Sequence, residues 1–235
     1  MNQIKLGVIS VFAFVILGCA ARDNFLNQNY SVNSEVRYRL TFDATWSEKT
    51  HPVAFPAQNN PHFSQIIGAT HRKGTTLWQV GQPSSAGMIS MAETGRTQLL
   101  SEEINKLIRS GQAEVTIVGD ATGRSPDTVE VIFSLSPEFP AVSVVTMVAP
   151  SPDWFVGVSD ISLFKEGEWV SEKTINLLVY DAGSDSGPTY TSGNQSTFPR
   201  GVITKLTSQP HHTSFSDGKN GTEYAGTFTF TKLED

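Results

Sequence analysis

Between residues 36 and 42 the chain alternates. Val36, Tyr38, Leu40 and Phe42 fall on one side, and Arg37, Arg39 and Thr41 on the other. A period of two predicts a half-buried β-strand. Runs rich in β-branched residues at 115–118 and 129–135 predict two more. Residues 142–148 are nearly all apolar, which predicts a strand buried on both faces. Residues 155–164 and 169–180 read as two strands joined by a turn at Lys165-Glu166-Gly167-Glu168, and Tyr224, Phe228 and Phe230 mark a last strand. One segment has a different period. Leu100, Ile104, Leu107 and Ile108 repeat at i, i+4, i+7 and i+8, as in an amphipathic helix. This reading puts Glu102 and Glu103 in its first turn, Lys106 and Arg109 towards its end and Gly111 just past it, an order that suits the helix dipole. The pattern as a whole predicts an all-β fold, an antiparallel β-sandwich of roughly eight strands with one short helix.

The N-terminal pattern is of another kind. Lys5 precedes a nearly unbroken apolar stretch from Leu6 to Leu17, too short to span a bilayer, where about 20 residues are needed. It ends in Ile16-Leu17-Gly18-Cys19, and Cys19 is the only cysteine in the chain. These residues resemble the lipobox of bacterial lipoproteins, in which the peptide is cut before the cysteine and its thiol is diacylated. The expectation is a signal peptide over 1–18 and a lipidated Cys19 leading a polar tether over 19–35, then a single domain over 36–235. Ala20 stands where an aspartate would resemble an inner-membrane retention signal, so the outer membrane is favoured. One cysteine leaves no disulfide to staple the domain.

The net charge of −6 and the lack of a basic run argue against nucleic acid as a partner. They suit a cation ligand instead. Asp153 closes the turn Pro150-Ser151-Pro152, and Asp181 and Asp185 lie in Asp181-Ala182-Gly183-Ser184-Asp185-Ser186-Gly187. A hairpin about Gly167 would bring Asp153 and Asp181 to the same end, with Asp185 folded back by its flanking glycines. Carboxylates that converge repel one another unless a cation sits between them, and hard oxygen ligands select Ca²⁺ or Mg²⁺. One calcium ion is the expectation. The spacing leaves a second reading open, in which all three are Asx-turn or capping residues.

His51, His62 and His71, with Ser64 and Glu93, raise the question of a hydrolase or a zinc site. Neither an HExxH nor a GxSxG pattern occurs. His62 and His71 read as hydrogen-bonded core or turn residues, and His211-His212 as a solvated loop.

A series of ordered blocks is similar to the spondin N-terminal domain of F-spondin and mindin. They run Tyr38-Arg39-Leu40-Thr41-Phe42, Trp46-Ser47, His51-Pro52, Phe55-Pro56, His62-Phe63-Ser64 and Ile67-Gly68-Ala69-Thr70-His71. Trp78, Gly81, Ser85, Gly87 and Ala92-Glu93-Thr94-Gly95 follow, and then Ala149-Pro150-Ser151-Pro152-Asp153-Trp154 with Gly157, and the 181–187 segment. The resemblance implies a sandwich like that of C2 domains, with one calcium ion on Asp153, Asp181 and Asp185. It also implies cell-surface or matrix binding rather than catalysis.

The function expected is an envelope-anchored, calcium-binding module for an extracellular or envelope ligand, protein or glycan. The alternatives are an extracellular hydrolase and a C2-like binder of membrane surfaces. In the last, Trp154 and Phe155 are the apolar loop candidates, and core packing is their expected place.

Overall fold

The structure is a computed structural model and describes residues 35–206, Phe215 and residues 224–234. The signal segment, Cys19, most of the tether and His211-His212 lie outside these residues. In chain order the elements are β1 (Val36–Ala44), β2 (His62–Phe63), β3 (Ile67–His71), α1 (Ala86–Thr94), α2 (Gln98–Arg109), β4 (Ala113–Val118) and β5 (Asp127–Leu135). There follow β6 (Ala141–Ala149), β7 (Trp154–Ser162), β8 (Phe164–Lys165), β9 (Glu168–Trp169), β10 (Glu172–Leu177), β11 (Val179–Asp181), β12 (Thr204–Lys205) and β13 (Gly226–Lys232).

Two antiparallel sheets make the sandwich. One has the order β10-β13-β1-β5, and the other β12-β11-β7-β6-β3-β4, with β2 paired to β6. The alternation in β1 does what its period dictates. Tyr38, Leu40 and Phe42 are fully buried and meet Phe228 and Phe230 of β13 and Phe133 of β5 in the inter-sheet core. β6 is buried at every position, because the inter-sheet core covers one face and the helices cover the other. Val145, Met147 and Ala149 pack with Met88, Met91, Leu100 and Ile104 in that second core.

The helical layer differs from the expectation in two ways. Among the described residues there are two helices rather than one. α1 escapes a periodicity search because it is nine residues long, carries Gly87 near its start and is only weakly amphipathic. Its ends are explicit all the same. The Ser85 hydroxyl accepts from Met88 N–H, and Gly95 closes it at φ 69°. α2 begins at Gln98, so no acidic residue stands in its first turn. Glu103 instead serves the neighbouring helix, accepting from the Ser85 hydroxyl at 2.5 Å and from Gly87 N–H at 2.8 Å at the start of α1.

The β3 strand was not legible as one, since its five residues hold a glycine and no alternation. It lies between β4 and β6 and is buried throughout. Gly68 is required there, because a Cβ would fall 2.1 Å from the Ser143 carbonyl oxygen of β6.

The expected hairpin about Gly167 forms only at its two ends. Val179, Tyr180 and Asp181 pair with Val156, Phe155 and Trp154, one residue off the register that symmetry about Gly167 predicts, which would set Asp181 against Asp153. Between these ends the chain leaves. β10 pairs with β13 in the opposite sheet, and β8 and β9 form a small ribbon. Residue 178 is the crossing point between the sheets. In that sheet β10 buries the apolar side of its alternation. Lys173, Ile175 and Leu177 are the more buried positions, Ile175 packs on the inter-sheet core, and Glu172, Thr174 and Asn176 are exposed.

Candidate functional site

Asp153 precedes β7 and is fully buried. Its Oδ2 accepts three hydrogen bonds, from Ser184 N–H (2.7 Å), Asp185 N–H (3.0 Å) and the Ser184 hydroxyl (3.2 Å). Its Oδ1 is buried with no hydrogen-bond partner. Burial and then the charge of Asp181 push its carboxyl up to about 7, against the lowering effect of the Ser184 and Asp185 donors. A buried acid with one oxygen unserved is costly, and a cation is one of the few groups that relieves it.

Asp181 closes β11 opposite Trp154, so the sandwich brings it beside Asp153 by strand register. Its Oδ1 accepts from Gly183 N–H at 2.7 Å. Gly183 turns at φ 75°, where a Cβ would lie 2.7 Å from the Gly201 carbonyl carbon. Asp185 is also buried. It organises its loop, with Oδ1 accepting from Gly187 N–H at 2.7 Å and Oδ2 from Gln195 N–H at 2.9 Å. Asp153 and Asp181 are thus neighbours by register, close enough for the charge of Asp181 to act on Asp153, whereas Asp185 reaches Asp153 through its backbone. Among the described residues no three acidic, histidine or cysteine side chains form a closed metal-holding set as they stand.

Sequence reasoning missed two supports of this end. Ser184 supplies two of the three donors to Asp153, and its place between Asp181 and Asp185 was the available signal. Arg200 clasps the loop from outside, donating to the Ser184 carbonyl at 3.1 Å and meeting Glu93 of α1 at 3.4 Å. Nothing in the local pattern points to it.

The histidines have other tasks. His71 is fully buried in β3. Its Nδ1 lies 2.8 Å from the Arg72 carbonyl, which can only accept, so Nδ1 carries the proton. Its Nε2 therefore accepts from the Ser143 hydroxyl at 2.8 Å, and Ser143 in turn accepts from Asp160 N–H at 2.9 Å. Asp160 Oδ1 stands 4.0 Å from Nδ1. Serine, histidine and aspartate are in line here, but Ser143 and His71 have no exposed surface through which a substrate could be attacked. Burial pushes the His71 imidazole down, more than its Arg72 and Asp160 neighbours raise it. His62 pairs in β2 and bonds the Asn60 carbonyl, and His51 packs on Phe215. Trp154 and Phe155 are fully buried, so neither forms an apolar loop tip. No helix among the described residues is long and apolar enough to cross a membrane.

The Spondin_N family model matches residues 36–220. Spondin-1 of Rattus norvegicus is 41% identical over 193 residues, which cover 79% of this chain and 24% of that protein. Spondin-2 of Rattus norvegicus is 31% identical over 210 residues, covering 86% of this chain and 62% of that protein, and Spondin-2 of Homo sapiens is 33% identical over 189 residues, covering 77% and 56%. The chain thus matches about a quarter of the length of Spondin-1. On the family match and these identities together, the chain belongs to the spondin N-terminal domain family.

Proposed function

We propose that this chain is a non-catalytic binding module of the cell envelope, exported, held by lipid on Cys19 and stabilised by one calcium ion at Asp153, Asp181 and Asp185. The observation that carries the metal is Asp153, a buried carboxylate with an unserved oxygen beside a second carboxylate. A calcium ion would replace the proton that Asp153 otherwise retains near neutral pH. It takes six to eight oxygens in an irregular shell, which loop carboxylates and carbonyls can supply. Since the acidic set is open as it stands, binding is coupled to closure of the 181–187 loop. Calcium added to chelator-treated protein then raises the melting temperature by several degrees, since saturation at one hundred times Kd adds about 2.7 kcal/mol. Magnesium does less. A melting curve indifferent to calcium in protein shown to be metal-free removes the site. The anchor has a separate test: Cys19→Ala releases the protein to the soluble fraction or leaves it unprocessed.

One observation favours a second reading, a C2-like membrane binder. Phe198 is 98% exposed, and it follows Ser196, which bridges to Asp185, and Thr197, whose N–H bonds the Ser184 carbonyl. Calcium-dependent sedimentation with phosphatidylserine vesicles, lost in Phe198→Ser, would support it.

A further inference from the structure

The crossing of the chain between the sheets leaves a groove. β7 pairs with β11 only as far as Val156, and beyond it the partner strand has gone to the other sheet. The gap, about 620 Å³, is bounded by the 74–80 loop, residues 157–161 of β7 and residues 175–180. Tyr180, half-buried, lines it, and Trp78 lies beneath, 5% exposed, its ring 5.0 Å from that of Tyr180 and locked edge-on against Phe155. Gln79 and Asn176, both exposed, present amides, and Asp160 presents a carboxylate that is 41% exposed. Asp160 is held at φ 53°, a left-handed conformation uncommon for a non-glycine residue, with its carboxylate on Gly74 N–H and its own N–H on Ser143.

Three features narrow the ligand. No lining residue is basic, which disfavours phosphate, sulfate and uronate groups. The bared edge of β7 is not open to an added peptide strand. Trp78 Nε1 occupies the Val158 carbonyl at 3.2 Å, and the Ser159 hydroxyl bonds the Trp78 carbonyl at 2.6 Å. What remains is the partly exposed Tyr180 ring, backed by Trp78, among amides and one carboxylate, a set that stacks C–H faces and bonds adjacent hydroxyls.

We propose that the groove lined by Trp78, Gln79, Asp160, Asn176 and Tyr180 binds a neutral oligosaccharide. This rests on the reading of the chain as a binding module and supplies its ligand class. It does not depend on the calcium site, because the groove is lined by none of the three aspartates.

The full chain, ¹⁵N-labelled at tryptophan, is titrated with cellohexaose, chitohexaose, maltohexaose and mannohexaose, with calcium and with chelator. A heparin-derived hexasaccharide and an extended hexapeptide are run beside them. The expected result is saturable binding of at least one neutral sugar that moves the Trp78 indole signal. Asn176→Ala, at an exposed position, weakens that sugar several-fold, and Tyr180→Ala roughly tenfold, with Tyr180→Phe retaining most of the affinity. Should Tyr180→Ala fail to fold, Asn176→Ala and Tyr180→Phe still decide. The proposal is overturned if no neutral hexasaccharide binds at about 10 mM, or if only the sulfated sugar or the peptide does. Binding that leaves the Trp78 signal and the Asn176→Ala affinity unchanged also overturns it. Melting curves read calcium independently, so either reading can fail while the other stands.

Discussion

Two buried titratable centres sit on the same sheet and are satisfied in opposite ways. His71 finds a partner for each ring nitrogen within the fold, one in the Arg72 carbonyl and one in Ser143. Asp153 finds three donors for one oxygen and none for the other, with Asp181 as its neighbour. The first centre is complete as a neutral group. The second is complete only with a proton or a cation. Burial of a polar group is therefore not itself a sign of function. The group left incomplete points to a ligand.

The largest effect expected concerns Asp153. Its carboxyl rises from 3.8 to about 7 on folding. An acid with a raised folded value stabilises the fold while protonated, and that contribution is lost as pH rises from about 4 through about 7. At one unit per 1.36 kcal/mol the upper bound is on the order of 4 kcal/mol. Metal-free protein should thus melt lower at pH 8 than at pH 5, and calcium should recover the difference at pH 8. Asp153→Asn carries no charge to relieve. It should equal or exceed metal-free wild type at pH 8 and gain nothing from calcium. If wild type and Asp153→Asn respond alike to calcium, the contrast between the two centres fails.

His71→Ala should come next, at roughly 2–3 kcal/mol, because it leaves a cavity and strips Ser143 and the Arg72 carbonyl of their partner. Chemical denaturation measures it, and the calcium response should persist in the variant. The pH dependence has the opposite sign from that of Asp153. A histidine with a lowered folded value must lose its proton to fold, so its stabilising contribution is present above its unfolded value of 6.5 and fades as pH falls below it. The Asp153→Asn background isolates this limb.

Gly183→Ala is smaller, about 1–2 kcal/mol, from a left-handed φ and a close approach to Gly201. It should also blunt the calcium response, whereas an equal loss elsewhere in the fold should not. Arg200→Ala is the smallest, about 0–1 kcal/mol, since its ion pair with Glu93 is partly exposed. Its expected mark is faster amide exchange in the 183–187 loop.

The sheet strands were legible where a period of two or a solid apolar run survived. β1, β5, β6 and β7 follow such stretches, and so does α2 at its period of 3.6. What was lost has local causes. α1 is short and glycine-bearing, and β3 is specified by the backbone approach at Gly68 rather than by side-chain alternation. The exit of β10 from its expected hairpin depends on the apolar neighbours it gains across the sandwich, which local periodicity does not register. At the candidate site the spacing about Gly167 was enough to bring Asp181 to the end of the sheet that holds Asp153, though the register is one residue off and Asp181 faces Trp154. It could not reveal that Asp185 contributes an N–H to Asp153 while its own oxygens bind Gly187 and Gln195.

The position of β1 has a mechanical consequence. It is an interior strand, paired antiparallel to β13 on one side and to β5 along its whole length from Val36 to Ala44 on the other. A load applied at residue 35 and directed along β1 pulls it lengthwise between two neighbours. The hydrogen bonds of both ladders are then loaded in shear and must fail together, rather than one after another as when an edge strand is peeled away. A domain loaded in this way resists extraction of its first strand in the direction in which both ladders act together.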